Sequence, residues 1–210
     1  MDRRKQIVRD AYDRIAGRYL NWSVGSQVRT RYLERLLACL PTSGADVLEL
    51  GCGAGLPVTV ALSQRAQVTA VDISPEQVRR AEENAPNADV LCTDMMALDF
   101  REARFDAVAA FYAITHLPRE EHAELFRRIA RWLKPGGTFL ATLAATALED
   151  CVEQDWLGAP NFFSHFDGWT TLLMLYDCGF EIVRAEIVAQ DLPGEENVSF
   201  LWVTARKVLP

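Results

Sequence analysis

One stretch limits the folds open to this chain more than any other. Val47-Leu48-Glu49-Leu50-Gly51-Cys52-Gly53-Ala54-Gly55 runs from an apolar segment carrying one acid into three glycines at alternate positions. An apolar run of this kind reads as a strand buried in a parallel sheet. A glycine turn behind it lets the backbone approach a ligand closely, with no Cβ in the way. A second apolar run, Val68-Thr69-Ala70-Val71, ends in Asp72. An acid about 20 residues past a glycine turn stands where a ribose diol is gripped. The first expectation is an adenosine-type cofactor at the edge of an α/β sheet.

The spacing narrows the choice. A dinucleotide fingerprint, G-x-G-x-x-G, needs its last glycine at position 56, which is Leu56. Glu49 lies two residues before the turn, where its carboxylate suits a ligand bearing an amino group and suits a diphosphate badly. Glu49 through Gly55, E-L-G-C-G-A-G, resembles the first motif of the class I S-adenosylmethionine-dependent methyltransferases, and Val71-Asp72-Ile73-Ser74 is similar to their second.

Strand-like and helix-like segments alternate from residue 45 onward. The expected strands are 45–50, 67–72, 88–92, 105–111 and 138–143. Helices are expected over 54–64, over 74–85 (with Ser74 as cap and Pro75 at the first position) and over 118–133, the last ending at Lys134-Pro135-Gly136-Gly137. Such alternation predicts a parallel sheet with helices on both faces. A helix over 167–178 precedes strands at 180–189 and 198–206, which a polar loop, 191–197, joins as antiparallel neighbours. Two amphipathic helices, 3–20 and 26–40, come first. The whole is similar to the family's Rossmann-like, doubly wound, seven-stranded sheet, mostly parallel with one antiparallel C-terminal strand. The resemblance implies the order 3-2-1-4-5-7-6. One domain, 1–210, divides into an N-terminal helical lid (1–44), a cofactor-binding core (45–144), a substrate-facing insertion (145–167) and a C-terminal helix with the antiparallel pair (168–210).

The resemblance also implies roles. Gly51, Cys52, Gly53 and Gly55 would pack on the methionine part of S-adenosylmethionine, Asp72 would take both ribose hydroxyls, and Ile73 would lie against the adenine. Asp94 and Met95, after the third strand, would meet the adenine amino group and ring. Tyr19, in a helix segment similar to one that lies over the cofactor in small-molecule methyltransferases, would reach the methionine carboxylate, with Tyr12 the next candidate and a substrate contact. By family position the turn from Phe111 to Pro118 faces both the sulfonium and the acceptor, with Phe111 on the cofactor side. His116 is the first candidate base there, since imidazole suits proton removal near neutral pH. Tyr112 and His165 are further catalytic candidates, and Trp156 and Phe163, in the aromatic-rich insertion, are candidate walls of an acceptor pocket. A structural reading stands beside each: Tyr12 and Tyr19 as packed core aromatics, His116 as a histidine bonded to nearby backbone, Cys52 as a small residue in a tight turn, Asp167 as a helix cap.

The net charge is −7, against nucleic acid as partner, although residues 1–40 carry a net +5. Five scattered cysteines form no C-x-x-C pair, and the three histidines are poorly spaced for a metal. No apolar run approaches a membrane span and no signal peptide is visible at the N-terminus, so a cytoplasmic monomer or homodimer is expected. The expected activity is methyl transfer to an oxygen or nitrogen of a small-molecule metabolite, with carbon and sulfur open. The alternatives are an RNA or protein methyltransferase, a cofactor-binding relative that does not methylate, and a nicotinamide oxidoreductase, against which Leu56 and Glu49 speak.

Overall fold

In the computed structural model, residues 1–23, 25–192 and 195–208 are described. The chain opens with α1 (Arg3–Ser23) and α2 (Gln27–Cys39). Then follow β1 (Ala45–Leu50), α3 (Val58–Ser63), β2 (Ala66–Asp72), α4 (Pro75–Asn84), β3 (Asp89–Cys92), β4 (Phe105–Ala110), α5 (His122–Trp132) and β5 (Leu133–Ala144). The remainder is β6 (Leu148–Trp156), β7 (Ala159–His165), α6 (Gly168–Asp177), β8 (Phe180–Leu192) and β9 (Glu195–Lys207).

Seven strands form one sheet in the order β3-β2-β1-β4-β5-β9-β8. Neighbours from β3 to β5 are parallel, and β9 runs antiparallel to both β5 and β8. With β6 and β7 outside this sheet, the order is the expected 3-2-1-4-5-7-6. Side chains alternate across the strands and feed two cores. Leu48 and Leu50 of β1 join Phe126, Ile129 and Trp132 of α5 on one face. Val47 joins Leu36 of α2, Leu62 of α3 and Trp202 of β9 on the other. Tyr32 of α2 stacks on Trp202 with ring centroids 4.2 Å apart. No helix among the described residues is long and apolar enough to cross a membrane.

Four expectations need correction. The helix expected over 54–64 begins only at Val58, because Gly55 sits in the left-handed region at φ +79° and Pro57 takes the cap position. The helix expected from Pro118 starts at His122, after a turn of 3₁₀ helix at Arg119–Glu121. The helix stops before 134–137 as expected, but those residues lie inside β5, which starts at Leu133 rather than at 138: Phe105 pairs with Leu133 and Ala107 with Thr138, so the residues between loop out. The polar loop expected over 191–197 is shorter, since β8 runs to Leu192 and β9 starts at Glu195; Pro193 and Gly194 lie outside the described residues.

The insertion has a form of its own. β6 and β7 make an antiparallel hairpin, a separate two-stranded sheet. α1 packs on it rather than on the main sheet: Val8, Ala11, Tyr12 and Ile15 bury against Trp156, Ala159 and Phe162. Hairpin and helix supply each other with the apolar partner that neither has alone.

Candidate active site

The carboxyl ends of β1, β2, β3 and β4 open into one cleft, roofed by α1. Open α/β sheets bind ligands at this edge, where strand order reverses, here between β1 and β4. The cleft is lined by Gly51 and Gly53, Asp72 and Ile73, Asp94 and Met95, and Phe111, Tyr112 and His116, with Tyr12 and Tyr19 from α1. An adjoining space beyond Gly51 and Gly53 is lined by Tyr19, Arg29, Glu49, Cys52 and Phe111. The structure thus brings together most of the residues singled out from the sequence.

The glycine turn is pinned to β2. Gly51 N–H and Cys52 N–H both donate to the Val71 carbonyl, at 2.8 and 3.0 Å. Gly53 N–H donates to Asp72 Oδ2 at 2.8 Å, and Ser74 N–H to Asp72 Oδ1 at 2.9 Å. Gly51 has φ +73°, and a Cβ there would lie 2.3 Å from that of Ala113. Gly55 faces away from the cleft and lets α4 approach; its added Cβ would meet Ala81 Cα at 3.2 Å. Cys52 is buried, and burial pushes its thiol well up, so it stays protonated.

The two acids at the strand ends are unlike ordinary surface carboxylates. Burial raises Asp72 to about 6, against the hydrogen bonds from Ser74 and Gly53. Burial raises Glu49 to about 8, opposed by the Thr59 hydroxyl, which donates to Oε2 at 2.7 Å, and by Arg29. Asp94 caps the short turn after β3, accepting from Met96 N–H at 2.9 Å. Its other oxygen binds the Lys5 ammonium at 2.8 Å, and Lys5 also pairs with Glu121 at 2.6 Å. Burial alone would pull Lys5 down, but the two carboxylates more than offset it.

At the far end, Tyr12 Oη lies 2.8 Å from His116 Nε2, and His116 Nδ1 lies 2.8 Å from the Phe162 carbonyl. A carbonyl only accepts, so Nδ1 carries the proton and Nε2 accepts from the Tyr12 hydroxyl. Burial lowers His116 to about 4 and raises Tyr12 well above its ordinary value, so both are uncharged near neutral pH. Tyr112 sits at φ +57°, with its hydroxyl accepting from Gln190 Nε2 at 2.9 Å and the Arg29 guanidinium 4.8 Å over its ring.

Besides Gly55, three candidate site residues, His165, Trp156 and Phe163, do not line the cleft, and Asp167 takes its structural reading. His165 does not line the cleft; its Nδ1 is spent on the Thr146 carbonyl at 2.7 Å. Trp156 and Phe163 stand behind the cleft wall, with ring centroids 5.6 Å from Tyr12 and 4.7 Å from His116 respectively. Asp167 is the cap of α6, accepting from Thr170 N–H at 3.0 Å. Sequence reasoning missed Lys5, Arg29, Thr59 and Gln190. Arg29 is the most telling of these: it is buried, and its Nε has no partner.

Comparison with known proteins bears on this geometry. Residues 47–137 match the family model of a methyltransferase domain. The matched stretch is a methyltransferase domain. It is similar to 27-O-demethylrifamycin SV methyltransferase of Amycolatopsis mediterranei, 37% identical over 119 residues, which are 53% of this chain and 43% of that one. It is also similar to 24-methylenesterol C-methyltransferase 3 of Arabidopsis thaliana, 33% identical over 105 residues, 47% of this chain and 29% of that one. The matched part is therefore less than half of either relative. The methyltransferase fold extends over nearly the whole chain: magnesium protoporphyrin IX methyltransferase of Synechocystis PCC 6803, solved with bound S-adenosylmethionine, superposes with a TM-score of 0.73 at 19% identity, covering 99% of this chain and 98% of that one. At that identity the likeness is one of fold. The glycine turn, Asp72 and Asp94 of this methyltransferase domain fit the adenosine half of such a cofactor, and the unpartnered Arg29 Nε beside buried Glu49 fits its amino-acid half.

Proposed function

We propose that this chain binds S-adenosylmethionine in the cleft and directs its methyl group to an oxygen or nitrogen of a small molecule. The observation that carries the reading is the Arg29 guanidinium, its Nε without a partner, buried together with the Glu49 carboxyl beyond the glycine turn. A buried, unpartnered guanidinium is costly, and an amino acid's carboxylate answers it while its ammonium draws the proton off Glu49, so the ligand matches the two side chains group for group. On this reading Asp72 accepts from the ribose hydroxyls, Ile73 and Met95 flank the adenine, and Asp94 accepts from its amino group. Tyr19 and Phe111 border both spaces and lie over the junction between nucleoside and amino acid.

Bound there, the cofactor supplies a methyl group on a positively charged sulfur. The protein's part is to hold the acceptor in line with it and to exclude water. Tyr12, Tyr112 and His116 form the wall available to the acceptor, and His116 is the group able to take up a proton. The enclosure by α1 and the aromatic lining support a small-molecule acceptor over a polymer.

The test is calorimetric titration with S-adenosylmethionine, its demethylated product and NAD, on the native chain and on Asp72→Ala. Binding of the first two but not NAD, lost in the variant, is the expected result. Binding of NAD alone would overturn the reading.

A further inference from the structure

The group that His116 presents to the cleft is not its own nitrogen. Nε2 is already occupied by the Tyr12 hydroxyl at 2.8 Å, and Nδ1 by the Phe162 carbonyl at 2.8 Å. His116 is also held from the sides, by Phe163 at 4.7 Å and Trp156 at 6.0 Å between ring centroids. Two hydrogen bonds and two rings fix the imidazole, so it cannot swing out to a ligand without dismantling the hairpin contact. The Tyr12 oxygen, by contrast, has donated its only proton and, beside its contact with the Tyr19 side chain, keeps a lone pair for a ligand in the cleft that Tyr12 lines.

We infer that Tyr12 is the catalytic proton acceptor, that His116 acts through it as a positioning residue and final proton store, and that the acceptor is a hydroxyl. This rests on the methyl-transfer reading above and sharpens it. The acceptor O–H gives its proton to Tyr12 Oη, and Tyr12 passes its own proton to His116 Nε2. The acceptor oxygen takes the methyl group, while the electrons of the breaking carbon–sulfur bond stay on sulfur. The products are a methyl ether, a neutral sulfide and an imidazolium whose Nδ1–H remains on the Phe162 carbonyl. Tyr12 ends as it began, a neutral phenol.

Charge explains why a buried, weakly basic histidine serves. Before transfer the cleft holds one positive charge, on sulfur. Afterwards it holds one, on the imidazole. The sulfur charge opposes protonation of His116 until the moment it disappears, so the proton moves as the methyl does. A hydroxyl needs this relay, because it must lose a proton to become a neutral product. A neutral amine attacks through its free lone pair and can shed its proton later to water, so the Tyr12 relay does little for it. The role of the insertion follows as well. Its Phe162 carbonyl selects the tautomer, while its Trp156 and Phe163 rings brace the imidazole from behind.

The experiment has two readouts. The first is nitrogen NMR of histidine-labelled protein with the demethylated cofactor bound; with three histidines in the chain, His116→Gln assigns the signal. The expected pattern is protonated Nδ1 with Nε2 hydrogen-bonded, and loss of that Nε2 bond in Tyr12→Phe. Protonated Nε2 in the native chain overturns the proposal. The second is product formation from catechol, 4-hydroxybenzoate and benzyl alcohol, each beside its matched amine. The relay predicts that hydroxyls are methylated, and that Tyr12→Phe and His116→Gln each lower kcat by about a hundredfold with cofactor affinity unchanged. Tyr12→Phe within threefold of the native kcat overturns it. So does methylation of amines alone, or of no hydroxyl by a chain that binds the cofactor. Failure to bind the cofactor at all would instead defeat the reading beneath it.

Discussion

Thr59 gives its hydroxyl proton to Glu49 Oε2 at 2.7 Å, and both side chains are buried. That single bond is too little to keep the carboxylate charged, and burial raises Glu49 to about 8. The folded chain therefore holds a proton that the unfolded chain loses near 4.5. The resulting stability is complete below that value and is lost as pH rises through about 8. Thermal melting should show a larger fall in Tm across this window for the native chain than for Glu49→Gln. The cofactor's ammonium needs the charged carboxylate, so binding near pH 7 should expel about one proton. Calorimetry in buffers of different ionisation enthalpy reads that proton directly, and Glu49→Gln should release none.

Arg29 should matter only to ligands that carry a carboxylate. Removing a buried charge-assisted contact costs about 1.5–3 kcal/mol, a loss of about ten- to a hundredfold in affinity. Arg29→Ala should weaken S-adenosylmethionine by that amount and leave 5′-methylthioadenosine, which lacks the amino-acid part, within twofold. Equal weakening of both would place Arg29 outside the ligand and make it a packing residue for Tyr112.

Two glycines of the same turn should respond differently. Gly51→Ala puts a Cβ 2.3 Å from that of Ala113 at φ +73°, and should destabilise the fold by about 2–4 kcal/mol in urea unfolding. At Gly53, φ +55°, the nearest atoms to an added Cβ are 3.9 Å away. Gly53→Ala should therefore cost about 1 kcal/mol from the backbone alone and act chiefly on ligand binding.

α1 is fastened to the core at both ends of the cleft. Lys5 bridges Asp94 and Glu121, while Asp13 accepts from Ser74 Oγ at 2.5 Å and from Glu76 N–H at 3.0 Å at the start of α4. Lys5→Ala combined with Asp13→Ala should expose residues 3–23 to limited proteolysis, and the demethylated cofactor should restore protection. Proteolysis unchanged by the double substitution would show that the apolar contact with the hairpin suffices.

The sheet was legible because its strands are nearly continuous apolar runs and its turns are marked by glycine, proline and a capping serine. The residues of β1 were placed without error, and the cleft positions of Asp72 and Asp94 were legible because Asp72 ends β2 and Asp94 follows the end of β3 by two residues. What escaped was non-local. Pro57 and Gly55 delay α3, and a run of Lys-Pro-Gly-Gly normally ends an element rather than bulging within one. Leu148–Trp156 exposes charge along most of its length, so no clean alternation announces the hairpin. Arg29 and Lys5 look like any arginine or lysine on an amphipathic helix. Only the three-dimensional packing shows that they point inward, although each lies at helical spacing with the apolar residues of its own helix. His165 misled for the opposite reason: its neighbours are aromatic, but its strand ends beyond the cleft.

The hairpin stands apart from the main sheet, and none of the seven strands relies on it for a partner. The seven-stranded sheet therefore does not depend on the hairpin's pairing, although α1 does depend on its apolar face. Yet it backs the tyrosine, holds the histidine and buttresses α1. The chain is in this sense modular: the sheet edge forms the cofactor side of the cleft, and a separate brace holds the residues proposed to handle the proton. Grafting the hairpin of another such protein onto residues 148–165 is thus a route to new acceptors, provided the residues that pack on α1 (Trp156, Ala159 and Phe162) are kept.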